Sequence, residues 1–183
     1  MTVSSPVVSV EASESHTASG YRRHLLFYGA IGLLLVLDQL TKAWVTANLM
    51  LFDPTDTFPW LAPILSFTYV RNTGVAFGLM QGLGRAYALL PLAVVVAVFF
   101  FRRSLPAGDL WVHLSLGLVV GGAVGNVVDR LVRGFVVDFL DVNFWPFRNW
   151  PVFNLADSAV VVGVAILMLD TFLTDFEESP NND

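Results

Sequence analysis

The chain has 183 residues, 55% of them apolar, a mean hydropathy of +0.66 and a net charge of −5. That length fits one domain, and the apolar share, gathered in long unbroken runs, is above what soluble domains carry. The chain has no cysteine, which excludes disulfides, thiolate metal sites and a cysteine nucleophile. The scattered His16, His24 and His113 show no metal-ligand spacing, and no basic patch points to nucleic acid.

Residues 1–20, "MTVSSPVVSVEASESHTASG", are rich in Ser, Thr and Val without a helical period, and predict a disordered tail. Arg22 and Arg23 then precede an apolar run from Leu25 to Leu37. The run resembles a signal peptide, and "VTA" at 45–47 resembles a cleavage site. The apolar character continues past Asp38 and Lys42, however, so about 20 residues are available to cross a bilayer. An uncleaved first span at about 25–45 is expected. Asp38 and Lys42 stand at i, i+4 on one face, where an internal ion pair is at least as strong a reading as a direct role.

A long connection follows, containing "ILSFTYVRNTGVAFG" (64–78). Its β-branched and aromatic residues around an Asn-Thr-Gly turn signal predict some strand. The second span, 86–101, ends at Arg102 and Arg103. The third, 109–128, lies in "DLWVHLSLGLVVGGAVGNVVDR". Gly117, Gly121 and Gly125 recur every four residues and predict a close helix-packing seam. Asn126, Asp129 and Arg130 follow at i, i+3 and i+4, where an interfacial ion pair explains Asp129 as well as a functional role does.

"GFVVDFLDV" (134–142) sets Asp138 and Asp141 among apolar residues. "NFWPFRNWPVF" (143–153) offers aromatics suited to a bilayer interface. The fourth span, 152–173, carries Asn154 and Asp157 at i and i+3. Asp157 should lie about 8 Å below the start of that span, given 1.5 Å per residue. An acid there is expensive unless paired, solvated or protonated, and points by default to function. Residues 175–183 read as a solvated acidic tail.

The simplest architecture is a bundle of four spanning helices over residues 21–174, because lipid leaves only helices or closed barrels available. Both long loops then lie on one side, so Asp157, Asp129, Asp138, Asp141, Asp38 and Lys42 converge near one interface. Placing Arg22, Arg23, Arg102 and Arg103 in the cytoplasm leaves Lys42, Arg71, Arg85, Arg130, Arg133 and Arg148 outside, so the raw count opposes a cytoplasmic N-terminus, while the dibasic pairs directly abutting apolar spans and the usual dominance of the first span favour it slightly. Two carboxylates in a low-dielectric pocket share a proton, and such a pair can activate water while protonating a substrate. Local sequence leaves Asp129, Asp138 and Asp141 all open as partners of Asp157. A proton-coupled transporter or a purely structural membrane protein would also use buried acids, but a transporter needs them spread through the membrane depth.

Four pieces in order, "DQLTK" (38–42), "RNTGVAFG" (71–78), "GGAVGNVVDRLVRGFVVDFLDV" (121–142) and "FNLADSAVVVG" (153–163), resemble bacterial lipoprotein signal peptidases, the type II signal peptidases. The resemblance covers about residues 25–173. It implies an all-α membrane protein with four transmembrane helices and a small extracytoplasmic β-containing cradle. It implies an aspartyl endopeptidase with Asp138 and Asp157 as the catalytic pair. Supporting roles fall to Asp38, Lys42, Asn72, Asn126, Asp129, Arg130 and Asn154. The implied partners are lipid-modified prolipoproteins and membrane lipids, without cofactor, metal or nucleic acid. A monomer in the bacterial cytoplasmic membrane is expected, with both termini cytoplasmic and the active site near the extracytoplasmic face.

Overall fold

In a computed structural model, residues 7–55, 59–74, 88–101 and 110–178 are described. The elements in order are α1 (Val7–Asn48), β1 (Pro54–Thr55), β2 (Leu65–Asn72), α2 (Leu89–Phe101), α3 (Leu110–Val132), β3 (Val136–Val142) and α4 (Leu155–Glu178). Three helical segments are long and apolar enough to cross a membrane: Gly20–Asn48, Leu110–Val132 and Leu155–Leu173. The fourth expected span, 86–101, corresponds to the shorter apolar segment Leu89–Phe100; its first two residues lie outside the described ones.

Two expectations are corrected. The helix begins at Val7, so most of the expected disordered tail is an extension of α1. A helix already nucleated by the apolar run adds residues at small cost, and Glu11, Ala12, Glu14 and Ala18 are good helix formers. At 42 residues α1 is about 63 Å long, roughly twice the hydrocarbon thickness. At the other end α4 continues to Glu178, into the stretch expected as a tail.

Helix α3 is the centre of the bundle. A Cβ on Gly117 would lie 2.8 Å from the Phe27 carbonyl oxygen, one on Gly121 3.2 Å from Ile31 Cα, and one on Gly125 2.6 Å from Asp38 Oδ2. The predicted glycine seam is thus the contact with α1. A second, unpredicted contact faces α4: a Cβ on Gly122 would lie 2.3 Å from the Ala156 carbonyl oxygen, and one on Gly163 2.7 Å from that of Ser115. Small residues let both backbones approach α3 without a hydrophobic driving force. Phe27, Val112, Leu116 and Val120 fill the core between the helices.

The sheet has the order β1-β2-β3, all antiparallel. Strand β2 fulfils the strand expected around 64–78, whereas β3 was not anticipated. Asn72 pairs with Val136, Arg71 with Val137, Val70 with Asp138 and Phe67 with Leu140. Between the last two pairs β2 holds one residue more than β3, a bulge that bends the ladder beside Asp138. Val45, Tyr69, Val137 and Phe139 form a second core that seats the sheet on α1.

Candidate active site

Chain geometry explains how Asp138 and Asp157 meet. Helix α3 ends at Val132, and Gly134, at φ 81°, takes the left-handed conformation that turns the chain into β3. Asp138 then lies in the middle of β3. The amides of Phe139 and Leu140 donate to the Phe153 carbonyl at 2.9 and 2.7 Å, and the Phe153 amide returns a bond to the Leu140 carbonyl at 3.1 Å. This extra bridge pins the start of α4 to β3, one residue away from Asp138.

Asp157 lies inside the fourth span as expected, but the start of that span at 152, which would include Asn154, is corrected. The helix starts at Leu155, so Asn154 is its N-cap and Asp157 the third helical residue. The Asp157 amide donates to Asn154 Oδ1 at 2.9 Å, and the Asn154 amide donates to Asp157 Oδ2 at 3.2 Å. This reciprocal pair is a capping box, and the helix dipole further favours a negative charge in the first turn. The local part of the puzzle posed by Asp157 is therefore solved by helix capping.

Three amides surround the two carboxylates. Asn72 Nδ2 donates to Asp138 Oδ2 at 2.9 Å, and Asn154 Nδ2 donates to Asp138 Oδ1 at 2.7 Å. Asn126 Nδ2 donates to Asp157 Oδ1 at 2.8 Å. The orientation of the first two amides is fixed by the backbone, because Asn72 Oδ1 accepts from the Gly74 amide and Asn154 Oδ1 from the Asp157 amide. Burial, with the Asp157 charge second, pushes the Asp138 carboxyl up to about 7; the Asn72 and Asn154 bonds and the Lys42 charge oppose this. Asp138 is 1% exposed and Asn154 fully buried. Both acids border a cavity of about 990 Å³. Its apolar wall includes Leu90 and Val94 of α2, Val160 and Val161 of α4, and Trp150.

The other expected residues divide between this cavity and a separate ion cluster. Arg130 lines the cavity and donates to the Gly74 carbonyl at 3.3 Å, holding the turn that follows β2. Lys42 lies 2.9 Å from both Asp38 and Asp129, and all three side chains are fully buried. Asp38 and Lys42 are thus the expected i, i+4 pair. Asp129, however, pairs with Lys42 and Arg133 rather than forming an interfacial pair with Arg130. Lys42 also donates to Asn126 Oδ1 at 3.2 Å, linking the cluster to the amides around the carboxylates. Asp141 accepts from Thr68 Oγ1 at 2.7 Å and is not among the residues bordering the cavity.

Gln39 and Arg133 escaped the sequence reading. Gln39 Nε2 donates to Asp38 and Asp129, each at 3.1 Å, and Arg133 donates to Gln39 Oε1 at 3.0 Å. The i, i+4 spacing of Asp129 and Arg133 was the one available signal. Among the described residues, no group of three or more His, Asp or Glu side chains is placed to hold a metal ion.

Fold and site define a helical membrane protein in which two carboxylates face an apolar-walled cavity. A family model described as signal peptidase II matches residues 30–173. The lipoprotein signal peptidase of Shewanella halifaxensis is 41% identical over 82% of this chain and 88% of its own length. That of Syntrophomonas wolfei is 40% identical over 85% of this chain and 98% of its own. A bacterial membrane enzyme solved by the in meso method superposes with a TM-score of 0.73 at 27% identity, covering 84% of this chain and 91% of that one. The chain belongs to the signal peptidase II family.

Proposed function

We propose that this protein is an aspartic endopeptidase that removes signal peptides from diacylglyceryl-modified prolipoproteins, cleaving before the lipidated cysteine. The observation that carries this reading is the meeting of Asp138 and Asp157 at one cavity, bridged by Asn154, in a chain of the signal peptidase II family. The lipid anchor stays in the bilayer while the peptide lies in the cavity, and the apolar walls of α2 and α4 suit such a substrate. In this topology α2 is the fourth spanning helix, both termini are cytoplasmic, and the sheet with its aromatic loop stands at the extracytoplasmic face of the cytoplasmic membrane. The enzyme acts as a monomer without metal or cofactor.

Asp138 holds the proton that the pair shares, because burial and the Asp157 charge raise its affinity for it. Asp157 is the base. It takes a proton from water as the oxygen attacks the scissile carbonyl, while Asp138 gives its proton to the carbonyl oxygen. In collapse, Asp157 passes its proton to the departing amine and Asp138 recovers one from the tetrahedral hydroxyl. Asn72, Asn126 and Asn154 hold the carboxylates in place as neutral donors, and Arg130 positions the turn beside the peptide. Asp38, Lys42 and Asp129 support the scaffold. The test is cleavage of a synthetic diacylglyceryl-modified prolipoprotein peptide by folded Asp138→Asn and Asp157→Asn variants. Loss of turnover in both is expected, and near-native turnover in either removes that residue from the pair.

A further inference from the structure

Arg133 lies just past the end of α3, three residues after Arg130, and the two guanidinium groups diverge. Arg130 turns to the cavity and Arg133 to the ion cluster. Without Arg133 the cluster holds two carboxylates, Asp38 and Asp129, and the single ammonium of Lys42, all fully buried. An uncompensated buried charge is costly. Arg133 supplies the balancing charge. Its side chain is 25% exposed, whereas the Asp129 carboxylate it meets is fully buried.

Gln39 completes the arrangement. Its oxygen accepts from Arg133, which directs its Nε2 toward both carboxylates. Asp129 Oδ2 in turn accepts the Val137 amide at 3.1 Å. Val137 is the residue before Asp138 and is itself fully buried. A displaced Asp129 carboxylate would lose this bond at the start of β3. The other charged groups near Asp129 are Asp38 and Lys42 on α1 and Arg130 on α3, with Asp138 on β3 and Asp157 on α4 beyond Arg130. Residues 89–100 of α2, the remaining helix packed on α3, carry no ionisable side chain.

We infer that Arg133, clamped by Gln39, is a positioning residue for the proposed reaction: it holds the Asp129 carboxylate in place, so that the Val137 amide stays anchored and Asp138 stays aimed at Asp157. The inference rests on the catalytic pair proposed above. It acts at a distance from the peptide, so it governs turnover rather than substrate binding.

The experiment uses the full chain in lipid nanodiscs, with Arg133→Gln, Arg133→Lys and Gln39→Leu variants and the same lipidated peptide. Arg133→Gln is expected to lower kcat by about ten- to a hundredfold, as displaced catalytic groups do, with KM within about twofold. Arg133→Lys restores most of the rate, and Gln39→Leu lowers it by less than Arg133→Gln does. Amide exchange at Val137 should quicken in Arg133→Gln. A wild-type kcat in Arg133→Gln overturns the inference, as does a loss of folded enzyme with an unchanged kcat for the folded fraction. If the wild-type chain itself does not cleave the peptide, the proposed function falls. The clamp is then decided by amide exchange alone: faster exchange at Val137 in Arg133→Gln supports it, and unchanged exchange overturns it.

Discussion

The molecule gathers two pairs of aspartates and treats them oppositely. Asp38 and Asp129 are matched by Lys42 and Arg133, so two negative charges meet two positive ones. Asp138 and Asp157 receive side-chain hydrogen bonds from the amides of Asn72, Asn126 and Asn154 instead. Amides orient a carboxylate without cancelling its charge. The first pair is tied into a network of ion pairs, whereas the second borders the cavity with neutral donors around it. The two pairs differ less in the acids themselves than in the kind of neighbour each is given.

The largest expected effect breaks the second pair. Asp138→Asn or Asp157→Asn should reduce kcat by at least about ten-thousandfold, as removal of a group at the centre of a catalytic unit does; single-turnover cleavage of the lipidated peptide measures it. Breaking the first pair instead should cost stability. Lys42→Met leaves two buried carboxylates without their shared ammonium and should destabilise the protein by about 3–5 kcal/mol, read by thermal unfolding in detergent. Gly122→Ala probes the scaffold common to both, since its Cβ would meet the Ala156 carbonyl oxygen at 2.3 Å. Pushing α4 away should cost about 1–3 kcal/mol and lower kcat together with stability.

Finer changes sharpen the contrast. With Asp138 at about 7, turnover should decline as pH rises through that value, because the proton it donates is lost. Asn72→Ala removes a donor that favours the ionised form, so this alkaline limb should move up by about one pH unit. The same group has a sign for stability. The folded state binds the Asp138 proton more tightly than an ordinary carboxyl at 3.8, so its contribution is greatest below that pH and fades as pH rises to about 7. The smallest effect belongs to Thr68→Val, which touches only the Asp141 contact and should change kcat/KM by less than about twofold.

What the sequence disclosed follows from how far each signal reaches along the chain. The long apolar segments, the glycine seam and the Asp38–Lys42 pair are set by neighbours within a turn or two, and all were legible. Asp157 was legible as a charge inside a span, but its place in the first turn was not, because hydropathy does not mark where a helix begins; its capping bonds with Asn154 do. The choice of Asp138 over Asp141 or Asp129 stayed open until the family resemblance was considered. It depends on the β2–β3 register and the Phe153 bridge, which no local pattern encodes. Gln39 was missed for a similar reason: its bond to Asp129 spans 90 positions. The helical extension back to Val7 was missed because Ser- and Thr-rich composition argues against helix only where no helix already stands next to it.

The central place of α3 has a consequence for how this sequence can drift. Within its most apolar stretch 61% of residues are buried by protein, against 17% for the corresponding stretches of α1 and α4. Most of the α1 and α4 surface is left to lipid, which accepts almost any apolar side chain of ordinary size. Helix α3 is surrounded by its own chain on both glycine faces, and each neighbour there has a fixed shape. A library of neutral variants selected for function should therefore record a lopsided history. Substitutions should accumulate freely along the outer rows of α1 and α4, while α3 changes only in step with a compensating partner across the seam.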